Sequence, residues 1–169
     1  GHRALGAAAA AYNADEKELC RLDEIYSAAK TPFEIRSGSE KVTRRFFKIC
    51  NNGRESFTGL YKSLTEQGIC KGHQCIAYGL YMRDNGIELS EGLAVYGYSI
   101  CSAIVTNCVK LVPLSQLAGQ KILGESFELI SSASEKALFT DINDIGISGA
   151  GFDLRAMQHE RLYSRQYMS

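Results

Sequence analysis

The sequence predicts an all-α fold, a single compact domain of about seven or eight helices. Three observations carry this. Ala7 to Ala11 is an unbroken run of the strongest helix former. Apolar residues recur at spacings of three and four along most of the chain, where strand-like alternation does not. Both prolines, Pro32 and Pro113, stand where the pattern starts or stops a helix. At 169 residues a single domain buries roughly 70% of the surface its unfolded chain exposes, so no covalent staple is required.

The elements follow in order. After the alanine run, Asn13 and Glu16 are spaced as a cap pair, opening a helix whose Leu19, Leu22, Tyr26 and Ala29 share one face. Thr31, Pro32 and Glu34 read as N-cap, first helical residue and back-reaching carboxylate of the next. Its expected buried stripe is Val42, Phe46 and Ile49, with Arg44, Arg45 and Lys48 on a solvated face; Asn51, Asn52 and Gly53 stop it. A shorter helix carries Phe57, Leu60, Tyr61 and Leu64 and ends at Gly68, and another runs from His73 to Asn85 and Gly86.

Gly92 to Val109 is an uncharged run of eighteen residues, just under the length of about 20 that spans a bilayer. It includes Tyr96, Tyr98, Ser99, Ser102, Thr106 and Asn107, which favours a central helix enclosed by other helices. Leu89, Leu93, Tyr96 and Ile100 begin it, the small residues Gly92, Ala94, Gly97 and Ala103 admit close neighbours, and Pro113 ends it just past Lys110. Ile122, Leu123, Phe127, Ile130 and Leu138 outline one long helix over 115–139. The span 141–151, rich in glycine, reads as a loop, and Asp153 as the cap of a closing helix bearing Leu154, Met157 and Leu162.

Several chemistries are excluded. Nineteen basic and nineteen acidic side chains leave no net field for nucleic acid. Six dispersed cysteines suit buried reduced thiols of a cytoplasmic protein better than a disulfide scaffold. Asp141, Asn143 and Gly146 resemble part of a calcium loop, but Ile145 and Phe152 stand where oxygen ligands belong. Gly146, Gly149 and Gly151 lack the strand and the Gly-Lys-Ser/Thr of a phosphate loop. No nucleophile with a partnered base is visible, so no catalytic residue, cofactor or metal is expected. The alternative is a helical metal-binding protein or metalloenzyme using Cys70, His73 and Cys75, whose thiolates and imidazole suit zinc or nickel.

Two features point to binding instead. Lys110 is the first charge after the long uncharged run, and either reaches solvent along its stem or offers its charge to a partner. The last twelve residues, QHERLYSRQYMS, gather one His, two Arg, one Glu and two Tyr, side chains suited to interface anchoring, although a solvated amphipathic helix would also use them.

Four stretches together resemble the urease accessory protein UreF family, in the family's order. They are AAKTPFEIRSGSEKVTRRF, HQCIAYGL from His73, YGYSICSAIVTNCVKLVPLSQLAGQ from Tyr96, and DLRAMQHERLYSRQYMS from Asp153, whose HExxYSR signature is highly specific. The resemblance implies an all-α adaptor with no catalysis of its own. Such a protein forms homodimers when full length, binds the accessory protein UreD (UreH in some organisms) and thereby recruits the GTPase UreG to deliver nickel to apo-urease. It binds neither nucleic acid nor membrane. The matched positions are Lys110, Pro113, Gln116 and Gln120, and in the tail His159, Glu160, Tyr163, Ser164, Arg165 and Ser169. The resemblance makes 153–169 a partner-docking segment and 1–169 one UreF-like domain that begins partway through, without the family's Pro-x-Gly and Gly-Leu-Glu segment. Gln166 departs from the family's apolar preference. Arg155 or Arg165 would supply any arginine inserted into the GTPase, and the residues alone do not choose between them.

Overall fold

A computed structural model describes residues 2–50, 53–146 and 150–162. Among them, all regular structure is helical. The elements are α1 (His2–Asn13), α2 (Glu16–Ala29), α3 (Phe33–Ile49), α4 (Phe57–Glu66), α5 (Gln74–Asp84), α6 (Leu89–Leu111), α7 (Gln116–Glu125), α8 (Phe127–Ala137), a 3-10 turn (Ile142–Gly146) and α9 (Ala150–His159). The all-α single domain is as expected, with nine α-helices among the described residues where seven or eight were predicted.

The central helix is α1. Leu5 to Ala9 are all buried, as is Ala11, and the helix packs on α2, α5, α6, α8 and the 3-10 turn. Alanine side chains keep its cylinder thin, so neighbours approach on every side. The tightest approach is to α5, where a Cβ on Gly79 would lie 2.2 Å from the Ala8 carbonyl oxygen. The sequence reading gave the central position to α6 instead. That helix is buried at Gly92, Leu93, Tyr96 and Gly97, but beyond Ile100 it emerges, and within its most apolar stretch only 22% of residues are buried.

Other boundaries shift for local reasons. The cap of α2 is Asp15, not Asn13: Asp15 Oδ1 accepts from the Glu18 N–H at 2.8 Å and Glu18 returns the bond to the Asp15 N–H at 3.1 Å. Leu19, Leu22 and Tyr26 form its buried face as predicted. In α3, Pro32 occupies the cap position without a side-chain bond, so the Thr31 cap is not formed. The helix also turns a different stripe inward. Thr43 and Phe47 are buried while Val42 and Ile49 are exposed, because the Thr43 hydroxyl donates to the Ser39 carbonyl at 2.9 Å and enters the core already satisfied. Phe46 packs edge-on against Tyr81 and Phe47 against Tyr61.

The single helix expected over 115–139 is two, α7 and α8, broken at Ser126, whose hydroxyl donates back to the Ile122 carbonyl at 2.8 Å. The expected loop after Asp141 contains the 3-10 turn, whose Ile145 is buried against α1 and α2. Asp153 lies within the first turn of α9 and pairs with Arg3 at 3.7 Å rather than capping the helix. Gly68 and Gly86 do end α4 and α5, with φ of 77° and 64°.

A buried polar hub ties α2, α4 and the turn before α5. Asp23 Oδ2 accepts from the Tyr61 hydroxyl at 2.5 Å and the Gly72 N–H at 3.1 Å, and Oδ1 accepts from the Lys71 N–H at 2.7 Å. The Tyr61 hydroxyl oxygen accepts from the His73 N–H at 2.8 Å. Burial, and then the adjacent carboxylate, hold the Tyr61 phenol well above its ordinary range, which keeps it a donor.

His73 is fully buried edge-on to Tyr26, with Nε2 2.7 Å from the Ser27 hydroxyl. Burial, with the Lys30 and Arg36 charges, outweighs Asp23 and lowers its pKa from the ordinary 6.5 to about 4. The folded ring therefore stays neutral where the unfolded ring is protonated. Between those two values the unfolded chain binds the extra proton, so stability falls as pH drops from 6.5 towards 4 and levels off below. The expected loss from this ring is about 3 kcal/mol across that window. Urea unfolding of wild type and His73→Gln at pH 7 and pH 4.5 checks it: the pH-dependent difference between them must appear, and parallel curves would exclude it.

Candidate partner-docking surface

The second half of α6, with α7 and α8, builds the candidate surface. α7 seats on α6 through Gly119, where a Cβ would meet Val109 Cγ2 at 2.8 Å and Val105 Cγ1 at 3.2 Å. α8 packs on α6 with Ile130 against Gly97, and Phe127 stacks on Tyr98 at 5.9 Å between ring centroids. These contacts take up one side of each helix. Large apolar side chains remain exposed beside them: Ile104 and Leu111 on α6, Val112 beyond it, Leu117 and Ile122 on α7, and Leu129 on α8, while Phe127 is half-covered by its stack on Tyr98. Leu117 is 81% exposed and Leu129 73%. Scattered exposed leucines are ordinary, but this many large apolar side chains on three mutually packed helices make the surface a candidate for partner docking.

Four of the sequence-predicted residues lie at the corner between α6 and α7. Lys110 is in the last turn of α6, exposed, where a cation also complements the helix C-terminus. Pro113 is exposed in the corner, and Ser115 caps α7 by accepting from the Ala118 N–H at 3.1 Å. Gln116 and Gln120, four residues apart and exposed, share one side of α7.

His159 and Glu160 sit elsewhere, at the start of α3. His159 Nδ1 lies 2.8 Å from Glu34 Oε2, and Glu160 Oε1 accepts from the Phe33 N–H at 2.8 Å. Two carboxylates thus meet the N-terminal end of α3, where the helix dipole favours negative charge and a free amide needs an acceptor. Glu34, expected to reach back to the cap amide, pairs with His159, and Glu160 satisfies the amide of Phe33. Arg3 adds a further tie, donating to the Ala29 carbonyl at 2.8 Å while it pairs with Asp153. Of the residues expected on the closing helix, Leu154 is exposed, as is Phe152, and Leu162 lies past the end of α9, also exposed. Tyr163, Ser164, Arg165, Gln166 and Ser169 lie outside the described residues.

The contacts of Glu34 and the outward faces of Leu117 and Leu129 escaped the sequence reading. The signal for Leu117 is present in LAGQKILGE: Gly119 and Leu123 claim one side of α7, which leaves Leu117 on the other and Ile122 at the flank. The alternative metal site is not assembled. Cys70, His73 and Cys75 are all buried. Among the described residues no three His, Cys, Asp or Glu side chains converge as metal ligands.

The sequence profile of the family described as UreF matches residues 1–126. The chain is 34% identical over 158 residues to the urease accessory protein UreF of Actinobacillus pleuropneumoniae serotype 5b (strain L20), covering 93% of this chain and 70% of that protein. It is 31% identical over 152 residues to the urease accessory protein UreF of Paenarthrobacter aurescens (strain TC1), covering 88% and 67% respectively. Against the protein of that name from Streptococcus thermophilus (strain ATCC BAA-491 / LMD-9) the figures are 28% over 148 residues, 87% and 62%.

Proposed function

The chain belongs to the UreF family of urease accessory proteins, and we propose that it works as the non-catalytic adaptor of urease maturation. In this reading it binds a UreD/UreH-like protein, recruits and regulates a UreG-like GTPase, and through that complex serves nickel insertion into apo-urease in the cytoplasm. The observation that carries the reading is the open apolar surface of α6, α7 and α8, which a protein partner or a second copy would cover. Obligate interfaces are built from such apolar helix faces, so homodimerisation of the full-length protein fits the same surface.

The two sequence-predicted groups take different parts. Lys110, Pro113, Gln116 and Gln120 form a polar corner beside the apolar surface, suited to a rim that sets orientation. His159 and Glu160 fasten the closing segment to α3, and the anchors assigned to the partner are Tyr163 and Arg165. Helix α6 is long and apolar enough to cross a bilayer by length and composition. Its interlocking with α1, α7 and α8 supports a bundle helix instead.

The test is co-purification with the UreD/UreH-like and UreG-like proteins. Tyr163→Ala combined with Arg165→Ala is expected to weaken capture at least tenfold, with helicity by circular dichroism unchanged, since His159 and Glu160, which hold Glu34 and the Phe33 amide, are kept. Undiminished capture by the double variant, together with normal urease activation, would remove the tail from the docking role.

A further inference from the structure

We propose that Cys20 and Cys70 are a modification site, forming a reversible intrachain disulfide when the protein meets a small-molecule disulfide such as oxidised glutathione. Their Sγ atoms lie 3.9 Å apart, from α2 and from the turn between α4 and α5. The approach does not depend on the thiols themselves. Asp23 stands three residues after Cys20, so the two share one side of α2. Its carboxylate holds the N–H groups of Lys71 and Gly72, the two residues that follow Cys70. The hub thus presses the turn onto α2 and presents one thiol to the other. Cys70 lies outside any helix, which leaves its backbone able to supply the remaining movement to bonding distance, about 2 Å.

Exposure assigns the roles. Cys20 is half-buried and can meet a small disulfide, whereas Cys70 is 2% exposed. Burial first, then Asp23 and Cys20, push the Cys70 thiol up, so Cys70 does not initiate. The Cys20 thiolate attacks one sulfur of the small disulfide, forming a mixed disulfide and expelling one thiolate. Cys70 gives up its proton and attacks Cys20 Sγ, expelling the second. Two protein thiols and one small disulfide become one protein disulfide and two small thiols: two electrons pass to the small molecule and both protons end on the released thiols. The bridge closes a span of 50 residues that contains all of α3 and α4.

Intact protein incubated with oxidised glutathione should lose two hydrogens without retaining glutathione, and a non-reducing peptide map should join the Cys20 and Cys70 peptides. The melting temperature should rise by roughly 10 °C, because a long loop is closed in the unfolded chain, and dithiothreitol should reverse the change. Cys70→Ala should keep glutathione on Cys20 and show no such rise; Cys20→Ala should leave Cys70 unmodified. A wild-type protein that accumulates glutathione on Cys20 with Cys70 still reduced would overturn the proposal, as would a map joining other cysteines. The wild-type map decides even where a variant folds poorly.

Discussion

Replacing Asp23 with alanine is expected to remove about 3–5 kcal/mol of folding stability, a large part of the total for a domain of this size. The loss is not that of one hydrogen bond. The carboxylate receives the Tyr61 hydroxyl and the N–H groups of Lys71 and Gly72, and Tyr61 is fully buried. Without the acceptor, these donors are stranded in a space made for a charged group, and each unsatisfied donor costs about 1–3 kcal/mol before water repairs part of it. The effect should also spread, because the Tyr61 oxygen holds the His73 N–H that begins α5. Asp23→Asn keeps one carbonyl acceptor and should lose only about 1–2 kcal/mol. Urea unfolding followed by circular dichroism measures both. A loss below about 1 kcal/mol for Asp23→Ala would mean that water replaces the carboxylate and that the hub contributes little.

That hub also shows where sequence reading stops. Asp23 sits beside Leu22 on an amphipathic helix, and its partners Tyr61, Lys71 and Gly72 are 38, 48 and 49 residues away; no local pattern encodes such a meeting. Features set by local chemistry were legible: the Leu19, Leu22 and Tyr26 face, the stops at Gly68 and Gly86, the existence of most helices. The stripe of α3 was misread because Thr43 counts as polar until its hydroxyl is satisfied by Ser39. The break at Ser126 was missed because apolar spacing continues across it from Leu123 to Phe127 and Ile130. Exposure of α6 was illegible for a different reason. An apolar helix needs cover, but its sequence does not state whether the cover comes from its own chain, and here α1, rich in alanine, takes the centre. At the candidate site, the residues of the α6–α7 corner were picked out by resemblance and are exposed, while of the apolar surface beside them α6 was read as enclosed and Leu117 and Leu129 were not singled out.

The functional counterpart is a pair of charges on that surface. Leu117→Glu together with Leu129→Glu is expected to weaken partner capture and self-association by about 3 kcal/mol, roughly a hundredfold. Both side chains are largely exposed, at 81% and 73%, so folding should be nearly unchanged, within about 0.5 kcal/mol for each. In a complex the same positions would place two carboxylates in an apolar interface with no cation assigned to them, and such desolvation is far more costly than the loss of leucine contact alone. Lys17→Glu on the exposed side of α2 is the control for added negative charge. Binding titrations with the UreD/UreH-like protein and sedimentation of the protein alone separate two covers for the surface. Loss of self-association alone assigns it to a second copy, and loss of capture alone assigns it to the accessory partner. If both survive in the double variant, the apolar surface of α7 and α8 is not where this protein docks, and the adaptor reading would rest on the tail and the polar corner at Lys110.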